Sequence, residues 1–354
     1  MCWLPFATVE QALSHANPKI EVPSRSRPLE DEDWPVADPH DYGYDAALLD
    51  DAINRVGRED GVYSVLLVRG GKLIAERYFR EGTQAKTHNL KSASKSIISA
   101  LVGLMIEDGR LALDDLVVER LQVRGLEPGR EDITVRDLLI MASGLESTSR
   151  QAYNAWIASP DWVKGALAQP VLAEPGERYR YSTGNTHLLS ALVREASGRS
   201  TRSFADERLF EPLGIDIGGW ETDPMGIHIG GNNLAMTPRD MAKFGELYLR
   251  GGNWRNRQLV PAEWVNVSTQ PHIATDYEIY GDYGYHWFTP RGSFLGDFMA
   301  VGFGGQYIYV SPRFDAVVVI TATLESKGRT WERRVLDAIQ QELLPGSGKL
   351  KSSR

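Results

Sequence analysis

The spacing of apolar residues predicts a helix followed by a hairpin near the start of the chain. After Asp45, the run AALLDDAINRVGRED carries apolar residues at helical spacing, which indicates an amphipathic helix. Two runs rich in β-branched and aromatic residues follow, VYSVLLVR and KLIAERYF, with Gly70 and Gly71 between them. Two such runs joined by two glycines are typical of a β-hairpin.

Helical patterns dominate the middle of the chain, and strand patterns return near its end. Helices are predicted within KSIISALVGLMIEDGRL, TVRDLLIMASGL, THLLSALVREASG and TPRDMAKFGELYLRGG; in the last, Thr237 and Pro238 open the helix and Gly251 ends it. The runs YGYHWFT, FMAVGF, QYIYVS and AVVVITAT predict strands, and TWERRVLDAIQQELL predicts a final helix. Because alternating strand–helix–strand units are missing, the pattern argues against a parallel doubly wound sheet.

The order of these patterns also predicts how the chain divides. The first segment is rich in proline and acidic residues and lacks periodicity, so we expect an irregular arm anchored by Trp34 and Tyr44. The expected units are the arm at 1–44, a discontinuous α/β domain at 45–85 plus 255–346, a helical domain at 86–254 and a disordered tail at 347–354.

Composition and charge narrow the possible functions. The 354 residues are 42% hydrophobic and 24% charged, which is the balance of a globular protein with a sizeable core. Acidic residues outnumber basic ones, giving a formal net charge of −8, which argues against nucleic acid as a partner. A single cysteine, Cys2, excludes an internal disulfide and a cysteine-based metal site.

The sequence shows neither a membrane span nor a convincing signal peptide. No apolar run approaches the roughly 18 residues that a membrane span needs. The start, MCWLPFATVEQAL, lacks the basic region of a signal peptide, so the chain as given indicates a cytoplasmic location. A periplasmic location stays open if a leader has been removed, and the sequence does not indicate an oligomeric state.

The first candidate for chemistry is the pair Ser92 and Lys95 at the start of an apolar helix. Residues three apart share a helix face, so the hydroxyl and the amine can meet there. A serine becomes a good nucleophile when a base accepts its proton, and a lysine can do so when burial keeps it neutral. In the alternative interpretation Ser92 caps the helix and Lys95 is solvated.

The second candidate is Tyr181, directly before the predicted helix THLLSALVREASG. A phenol at this position can face a cleft and pass a proton to a leaving group. The alternative is a half-buried tyrosine that is bonded to a backbone carbonyl. His187 follows nearby and either lines the cleft or lies at the surface or in the core.

The third candidate is the glycine-rich run from Gly302 to Gln306. Glycines allow a substrate to approach the backbone, so the N–H of Gln306 could join that of Ser92 in an oxyanion hole. The alternative is a plain Gly-Gly hairpin turn. The sequence lacks G-x-S-x-G, H-E-x-x-H and G-x-G-x-x-G, so it predicts neither an α/β-hydrolase elbow nor a metal or organic cofactor.

Taken together, these three motifs resemble those of the serine β-lactamase and penicillin-binding-protein superfamily. The stretches ITVRDLLIMASGL, MTPRDMAKFGELYLRGGNW and YGYHW also look like landmarks of that superfamily. The resemblance implies an α+β, β-lactamase/transpeptidase-like fold, in which an antiparallel sheet is flanked by helices and carries an inserted helical domain. It also implies catalytic roles for Ser92, Lys95 and Tyr181, with the site in the crevice between the two parts.

Within the superfamily, the run YSTGNTHLLS and the Gly-Gly-Gln form of the third motif resemble 6-aminohexanoate-dimer hydrolases and the related family-VIII carboxylesterases. Substrate-binding positions implied by the resemblance are Gln306, Gly305, Phe303, Asn185 and Thr183. Many β-lactamases carry a lysine or histidine where this chain has Phe303, and an asparagine where it has Thr183. Both departures favour less anionic esters or linear amides over β-lactams, because Phe303 cannot form a charge-assisted hydrogen bond.

The sequence therefore predicts a serine hydrolase that cleaves small-molecule esters or linear amides through an acyl-enzyme. The alternatives are a β-lactamase or D-alanyl-D-alanine carboxypeptidase, and a catalytically silent penicillin-recognising protein. Trp156, Trp162 and Phe303 are expected either to form an apolar wall of the cleft or to pack between helices.

Overall fold

The computed structural model describes residues 34–325 and 327–346. Most of the predicted arm and all of the predicted tail therefore lie outside the described residues. Both expected anchors of the arm are buried: the Trp34 indole donates to the carbonyl of Gly71 at 3.3 Å, and the Tyr44 hydroxyl donates to the carbonyl of Leu343 at 2.9 Å. The end of the arm is thus fixed to the sheet and to the last helical segment.

The strands and helices follow in chain order. The strands are β1 Val62–Arg69, β2 Lys72–Tyr78, β3 His88–Asn89, β4 Gly219–Trp220, β5 Leu234–Met236, β6 Asn253–Trp254, β7 Arg257–Gln258, β8 Asp282–Tyr283, β9 Phe288–Thr289, β10 Phe298–Gly302, β11 Gln306–Ser311 and β12 Ala316–Ala322. The α-helices are α1 Ala46–Arg58, α2 Ser94–Glu107, α3 Val117–Arg120, α4 Val135–Leu139, α5 Tyr153–Ile157, α6 Trp162–Leu167, α7 Thr183–Ser197, α8 Thr201–Ala205, α9 Glu211–Leu213, α10 Pro238–Leu249, α11 Ala262–Ser268 and α12 Gly328–Ala338.

Within the described residues, seven strands form one antiparallel sheet in the order β2-β1-β12-β11-β10-β9-β8. The predicted hairpin is confirmed: β1 pairs with β2, and Gly70 and Gly71 both have positive φ in the turn. β1 also pairs with β12, which comes almost last in the chain. The α+β class expected from the resemblance is therefore confirmed.

The sheet is buried on both faces because its central strands are apolar at nearly every position. On β1, Leu66 and Val68 face one core cluster, while Val65 and Leu67 face the other. The first cluster includes residues of α2 and α10, and the second includes residues of α1 and α12. Helices thus cover both faces of the sheet, which explains why β1 shows no alternation of apolar and polar residues.

Two predicted elements differ from the structure. The expected strand YGYHWFT is wrong as a single strand, because the chain turns between β8 and β9: the Gly284 N–H donates to the Trp287 carbonyl at 2.8 Å, and His286 has φ of 63°. In the stretch TVRDLLIMASGL, the helix α4 ends at Leu139, and Met141 has φ of 59°, which a helix does not accommodate.

The region from 86 to 254 also contains strands that the sequence did not predict. β3, β5 and β4 form a small antiparallel sheet within it. Strands of two or three residues are too short to show an alternating pattern. Among the described residues, no helix is both long and apolar enough to cross a bilayer. The division into two domains stays a prediction.

Candidate active site

Ser92 lies at the tip of α2, in a 3₁₀ turn formed by Lys91–Ala93. Its side chain is half-buried, whereas almost every residue of the following helix is buried. Lys91, directly before Ser92, has φ of 50°, a conformation that L-residues seldom adopt and that stores backbone strain. The Asn89 side chain accepts from the Lys91 N–H at 2.9 Å, and the Ser94 hydroxyl donates to the Lys91 carbonyl at 2.7 Å. Two side chains thus hold the turn that presents Ser92.

Lys95 lies one helical turn after Ser92 and points back toward it. Its Nζ is 3.4 Å from Ser92 Oγ and donates to the carbonyl oxygen of Gly231 at 3.0 Å. The side chain is buried, and burial lowers the pKa of Lys95 to about 7. Within residues 34–325 and 327–346, no carboxylate lies within ion-pair distance of this amine. A neutral lysine beside a serine hydroxyl is therefore accessible near neutral pH.

Tyr181, which precedes α7, completes the group. Its hydroxyl lies close enough to the Ser92 side chain for the two groups to interact, and its ring centroid is 5.0 Å from Lys95 Nζ. Burial raises the pKa of Tyr181 above its ordinary value, although the interaction with Ser92 opposes this shift. Tyr181 is therefore a protonated phenol at neutral pH. The structure brings together the three residues that the sequence singled out as candidates for catalysis.

Two further residues of this group were not among the predicted site residues, although one of them, His286, lies within the stretch YGYHW. Gly231 lies in a loop, and a Cβ placed on it would be 2.4 Å from Lys95 Nζ, so only glycine leaves room for the amine. His286 is buried near Lys95, and burial together with the lysine charge holds the pKa of His286 well below its usual value. A neutral His286 avoids a second positive charge beside Lys95.

The third motif connects β10 to β11 beside the Ser92 turn. A Cβ on Gly302 would be 2.0 Å from the carbonyl oxygen of Leu90, so glycine lets β10 approach the segment that leads into Ser92. The turn Lys91–Ala93 packs against both β10 and β11. Gln306, the first residue of β11, is fully buried, and its amide group donates to the carbonyl of Ala322 at 2.7 Å. The Gln306 side chain is thus engaged within the sheet, which leaves its backbone as the part relevant to a substrate.

The two glycines of this motif have a packing role. A Cβ on Gly304 would be 2.2 Å from the Thr323 carbonyl, and one on Gly305 would be 2.4 Å from the Trp331 ring. Both glycines also have positive φ. The absence of side chains at these two positions thus leaves room for the end of β12 and for α12. The sequence had suggested another reason for these glycines, namely the close approach of a substrate. Phe303, by contrast, is 47% exposed.

The other predicted binding positions are buried at the start of α7. The Thr183 hydroxyl shares a 2.9 Å hydrogen bond with Ser149, and Asn185 Oδ1 accepts from the Ser143 hydroxyl at 3.1 Å. Within the described part of the chain, Asn185 Nδ2 has no hydrogen-bond partner. Thr183 is therefore occupied by protein contacts, and Asn185 retains one buried donor.

His187 lies in the core and does not line the cleft. It is fully buried, and its Nε2 is 3.0 Å from Oδ2 of the equally buried Asp223. The rings of Trp156 and Trp162 pack on it at 5.7 and 5.5 Å, and the Trp156 indole donates to the Trp162 carbonyl at 2.9 Å. Both tryptophans therefore pack between helices.

Comparison with known proteins gives the family of this chain. A family model described as Beta-lactamase matches residues 50–340, which is most of the sequence. The chain belongs to the beta-lactamase family. Members of this family that it resembles are hydrolases, and the Ser92, Lys95 and Tyr181 group lies within the matched region.

One curated protein and two solved structures are similar to this beta-lactamase-family chain. A 6-aminohexanoate-dimer hydrolase from Paenarthrobacter ureafaciens is 25% identical over 282 residues, covering 72% of this chain and 70% of the relative. A Bacillus anthracis structure, provisionally named 6-aminohexanoate-dimer hydrolase, aligns with a TM-score of 0.71 at 21% identity and covers 88% of both chains. EstCE1, a hydrolase with promiscuous acyltransferase activity, aligns with a TM-score of 0.67 at 20% identity, covering 83% of this chain and 98% of its own.

In this beta-lactamase-family chain, the chemistry of the site residues does not suit a metal ion. Ser92, Lys95 and Tyr181 provide a hydroxyl, an amine and a phenol, whereas the side chains that most often bind metal ions in proteins are carboxylates, imidazoles and thiolates. Among the described residues, no three or more His, Cys, Asp or Glu side chains are grouped as a metal site would require.

Proposed function

We propose that this chain is a serine hydrolase that cleaves esters or linear amides of small molecules through an acyl-enzyme. The observation that carries the proposal is the 3.4 Å approach of the buried Lys95 Nζ to Ser92 Oγ. A buried lysine without a carboxylate partner among the described residues is a base rather than a structural cation. Its neighbour is a half-buried hydroxyl that a substrate can reach.

In the proposed first step, neutral Lys95 accepts the proton of Ser92 as Oγ attacks the carbonyl carbon. The carbonyl of Gly231 accepts a hydrogen bond from Lys95 and so fixes the direction of the amine. Tyr181 lies against both Ser92 and Lys95, so it can later pass the proton from Lys95 to the leaving group. General base catalysis of this kind contributes about 10²–10⁴-fold to a rate.

The attack places negative charge on the carbonyl oxygen, and two backbone N–H groups are proposed to stabilise it. They belong to Ser92, in the turn before α2, and to Gln306, at the start of β11. The packing of that turn against β10 and β11 supports this pairing. Removal of one oxyanion-hole donor in other hydrolases lowers turnover about 10²–10³-fold.

The second half of the reaction reverses these roles. Tyr181 delivers a proton to the leaving alcohol or amine, and the bond between the carbonyl carbon and the leaving group breaks. Water then attacks the acyl carbon and gives its proton to the Lys95 and Tyr181 pair. The bond between the acyl carbon and Ser92 Oγ breaks, Oγ takes a proton back from the pair, and the carboxylic acid product leaves. The reaction needs no metal or organic cofactor.

The proposed substrates are neutral at the position that faces the third motif. Phe303 is exposed there and offers apolar contact instead of a charge. The relative named as a 6-aminohexanoate-dimer hydrolase supports linear amides as substrates, and the similarity in fold to EstCE1, a hydrolase with acyltransferase activity, fits an acyl-enzyme. β-Lactam hydrolysis and D-alanyl-D-alanine cleavage are the alternative activities. The presence of Phe303, where many β-lactamases have a lysine or histidine, counts against both.

The test combines turnover with identification of the labelled residue. Purified protein is incubated with p-nitrophenyl butyrate and then with an alkyl fluorophosphonate, and the modified peptide is identified by mass spectrometry. We expect ester hydrolysis and a label on Ser92, both lost in Ser92→Ala but retained in the control Ser203→Ala, which changes an exposed serine in α8. A label elsewhere, or full activity in Ser92→Ala, would overturn the mechanism. Faster turnover of a chromogenic cephalosporin would favour the β-lactamase alternative.

A further inference from the structure

A row of hydroxyl groups fixes the loop before α5 to the start of α7. The Ser147 hydroxyl donates to the carbonyl of Tyr181 at 2.6 Å, and the Thr148 hydroxyl accepts from the N–H of Gly184 at 2.7 Å. The Ser149 hydroxyl accepts from the N–H of Thr183 at 2.8 Å. Two of these bonds satisfy N–H groups at a helix N-terminus, where no intrahelical acceptor exists. The loop is therefore held in register with the residues that carry Tyr181.

Arg150 is the next residue after this row, and the chain turns there. Arg150 has a left-handed backbone conformation, with φ of 55°, and is the first residue of the 3₁₀ turn Arg150–Ala152. The guanidinium donates to the Tyr277 hydroxyl at 2.6 Å and lies 5.7 Å from the centroid of the same ring. The Tyr277 ring is in turn 6.4 Å from the ring of Tyr181. The loop thus places the Arg150 guanidinium against Tyr277, whose ring lies beside Tyr181, the proposed proton donor.

Among the described residues, the positive charge of Arg150 has no carboxylate partner. Within the described chain, no carboxylate lies within 4.0 Å of its guanidinium, and the side chain belongs to an exposed residue. Arg180, by comparison, lies next to Tyr181 in sequence but pairs with Glu146 at 3.1 Å. The positive charge of Arg150 acts on Tyr181, whose pKa it lowers slightly against the larger effect of burial. A planar guanidinium held at a fixed position is suited to bind a carboxylate with two parallel hydrogen bonds.

We propose that Arg150 binds a carboxylate on the leaving group of the substrate, so that the preferred substrates are esters or amides of carboxylated alcohols, phenols or amines. The proposal rests on the proposed function, in which Tyr181 protonates the leaving group and therefore lies beside it. Phe303 provides no cation for the substrate, so Arg150 supplies the charge recognition from the Tyr181 side of the site.

The experiment compares two esters that differ in one charge. 3-Acetoxybenzoate and 3-acetoxybenzamide share the acetyl group and have nearly the same shape, and their rates are normalised to spontaneous hydrolysis. We expect kcat/KM for the carboxylate to exceed that for the amide about tenfold, chiefly through a lower KM, as a charge-assisted hydrogen bond provides. In Arg150→Gln this ratio falls to near one, and in Arg150→Lys it takes an intermediate value.

Arg180→Gln is the matched control, because it removes the same charge one residue from Tyr181 where Glu146 already compensates it. We expect the ratio of the two kcat/KM values to stay at the level of the parent protein in this variant. Melting temperatures of all variants show whether each has folded.

The outcomes separate the two proposals. If both esters are hydrolysed with dependence on Ser92 but the ratio is near one, or is the same in Arg150→Gln as in the parent, the carboxylate proposal is wrong and the serine hydrolase stands. If neither ester is hydrolysed and the fluorophosphonate labels no residue, both proposals are wrong.

Discussion

The amine of Lys95 and the carbonyl of Gly231 form a 3.0 Å hydrogen bond, although 136 residues separate them in the sequence. The bond directs the lysine toward Ser92, and it exists because Gly231 has no side chain. A Cβ at this position would be only 2.4 Å from Nζ. The candidate base therefore depends on a residue type in a distant loop as much as on its own helix.

The first prediction follows from this contact. Gly231→Ala is expected to displace the amine of Lys95 and to lower kcat/KM for p-nitrophenyl butyrate about 10²-fold, because displacement of a reacting group by about 1 Å has that effect. Steady-state kinetics and a thermal melt check it. Gly219→Ala is the control, since a Cβ at Gly219 would meet nothing within 4 Å. Equal activity of the two variants would contradict the role of Gly231.

The second prediction concerns the pH dependence of turnover. Burial lowers the pKa of Lys95 to about 7, so the amine is mostly protonated below that pH and cannot accept the proton of Ser92. We therefore expect kcat/KM to rise with pH through about 7 and then to level off. A pH–rate profile measures this, and Lys95→Arg is expected to lose activity at every pH because arginine keeps its charge. A profile that is flat between about pH 5.5 and 8.5 would rule out Lys95 as the base.

The third prediction concerns the buried pair of His187 and Asp223. Burial raises the pKa of Asp223, but the hydrogen bond from His187 and those from the N–H groups of Ile227 and Met225 bring it below its ordinary value. Asp223 therefore stabilises the fold above its unfolded-state pKa of about 3.9, and this contribution disappears as the pH falls through its lower folded-state value.

At neutral pH we accordingly expect Asp223→Ala to lower the free energy of unfolding by about 3 kcal/mol, since it leaves a buried histidine without its partner. Urea denaturation measures the change. The control Asp206→Ala removes one member of a partly exposed pair with Arg202 and should change stability by less than about 1 kcal/mol. A loss no greater in Asp223→Ala than in the control would show that the buried pair contributes little.

The fourth prediction concerns Asp297, which is buried in the segment that leads into β10. Burial raises the pKa of Asp297 to about 6, although hydrogen bonds from Ser311 and Tyr309 oppose the shift. A carboxyl whose pKa is higher in the folded state favours folding below its unfolded-state pKa of about 3.9, and this stabilisation is lost as the pH rises through about 6.

Asp297→Asn is uncharged and should lack this dependence. Between about pH 4 and pH 7, we expect the stability of the parent relative to Asp297→Asn to fall by roughly 2–3 kcal/mol, the equivalent of the shift in pKa. Denaturation curves of both proteins at the two pH values test this. A constant difference in stability would mean that Asp297 does not titrate in this range.

The sequence predicted the parts of the site that depend on local spacing. Ser92 and Lys95 are three residues apart on one helix, and Tyr181 directly precedes another, so helical spacing made them candidates. The resemblance to the β-lactamase superfamily then implied their catalytic roles. The hairpin of β1 and β2 was predicted for the same reason, because two glycines between apolar runs define it.

Contacts between distant segments had no such signal. The carbonyl of Gly231 and the ring of Tyr277 reach the site from loops, and nothing in their neighbouring residues indicates it. The family resemblance implied that Asn185 and Thr183 contact the substrate. The structure shows that they are buried and bonded to Ser143 and Ser149, which sequence spacing alone does not reveal.

The pairing of β1 with β12 has a consequence for synthesis of the protein on the ribosome. Val62–Arg69 emerges early, but its second neighbour in the sheet, Ala316–Ala322, is translated about 250 residues later. Until then one edge of an apolar hairpin is unpaired, and such edges promote aggregation. Closing a chain segment of this length also slows folding. Chaperone binding to the nascent hairpin would protect it during that interval.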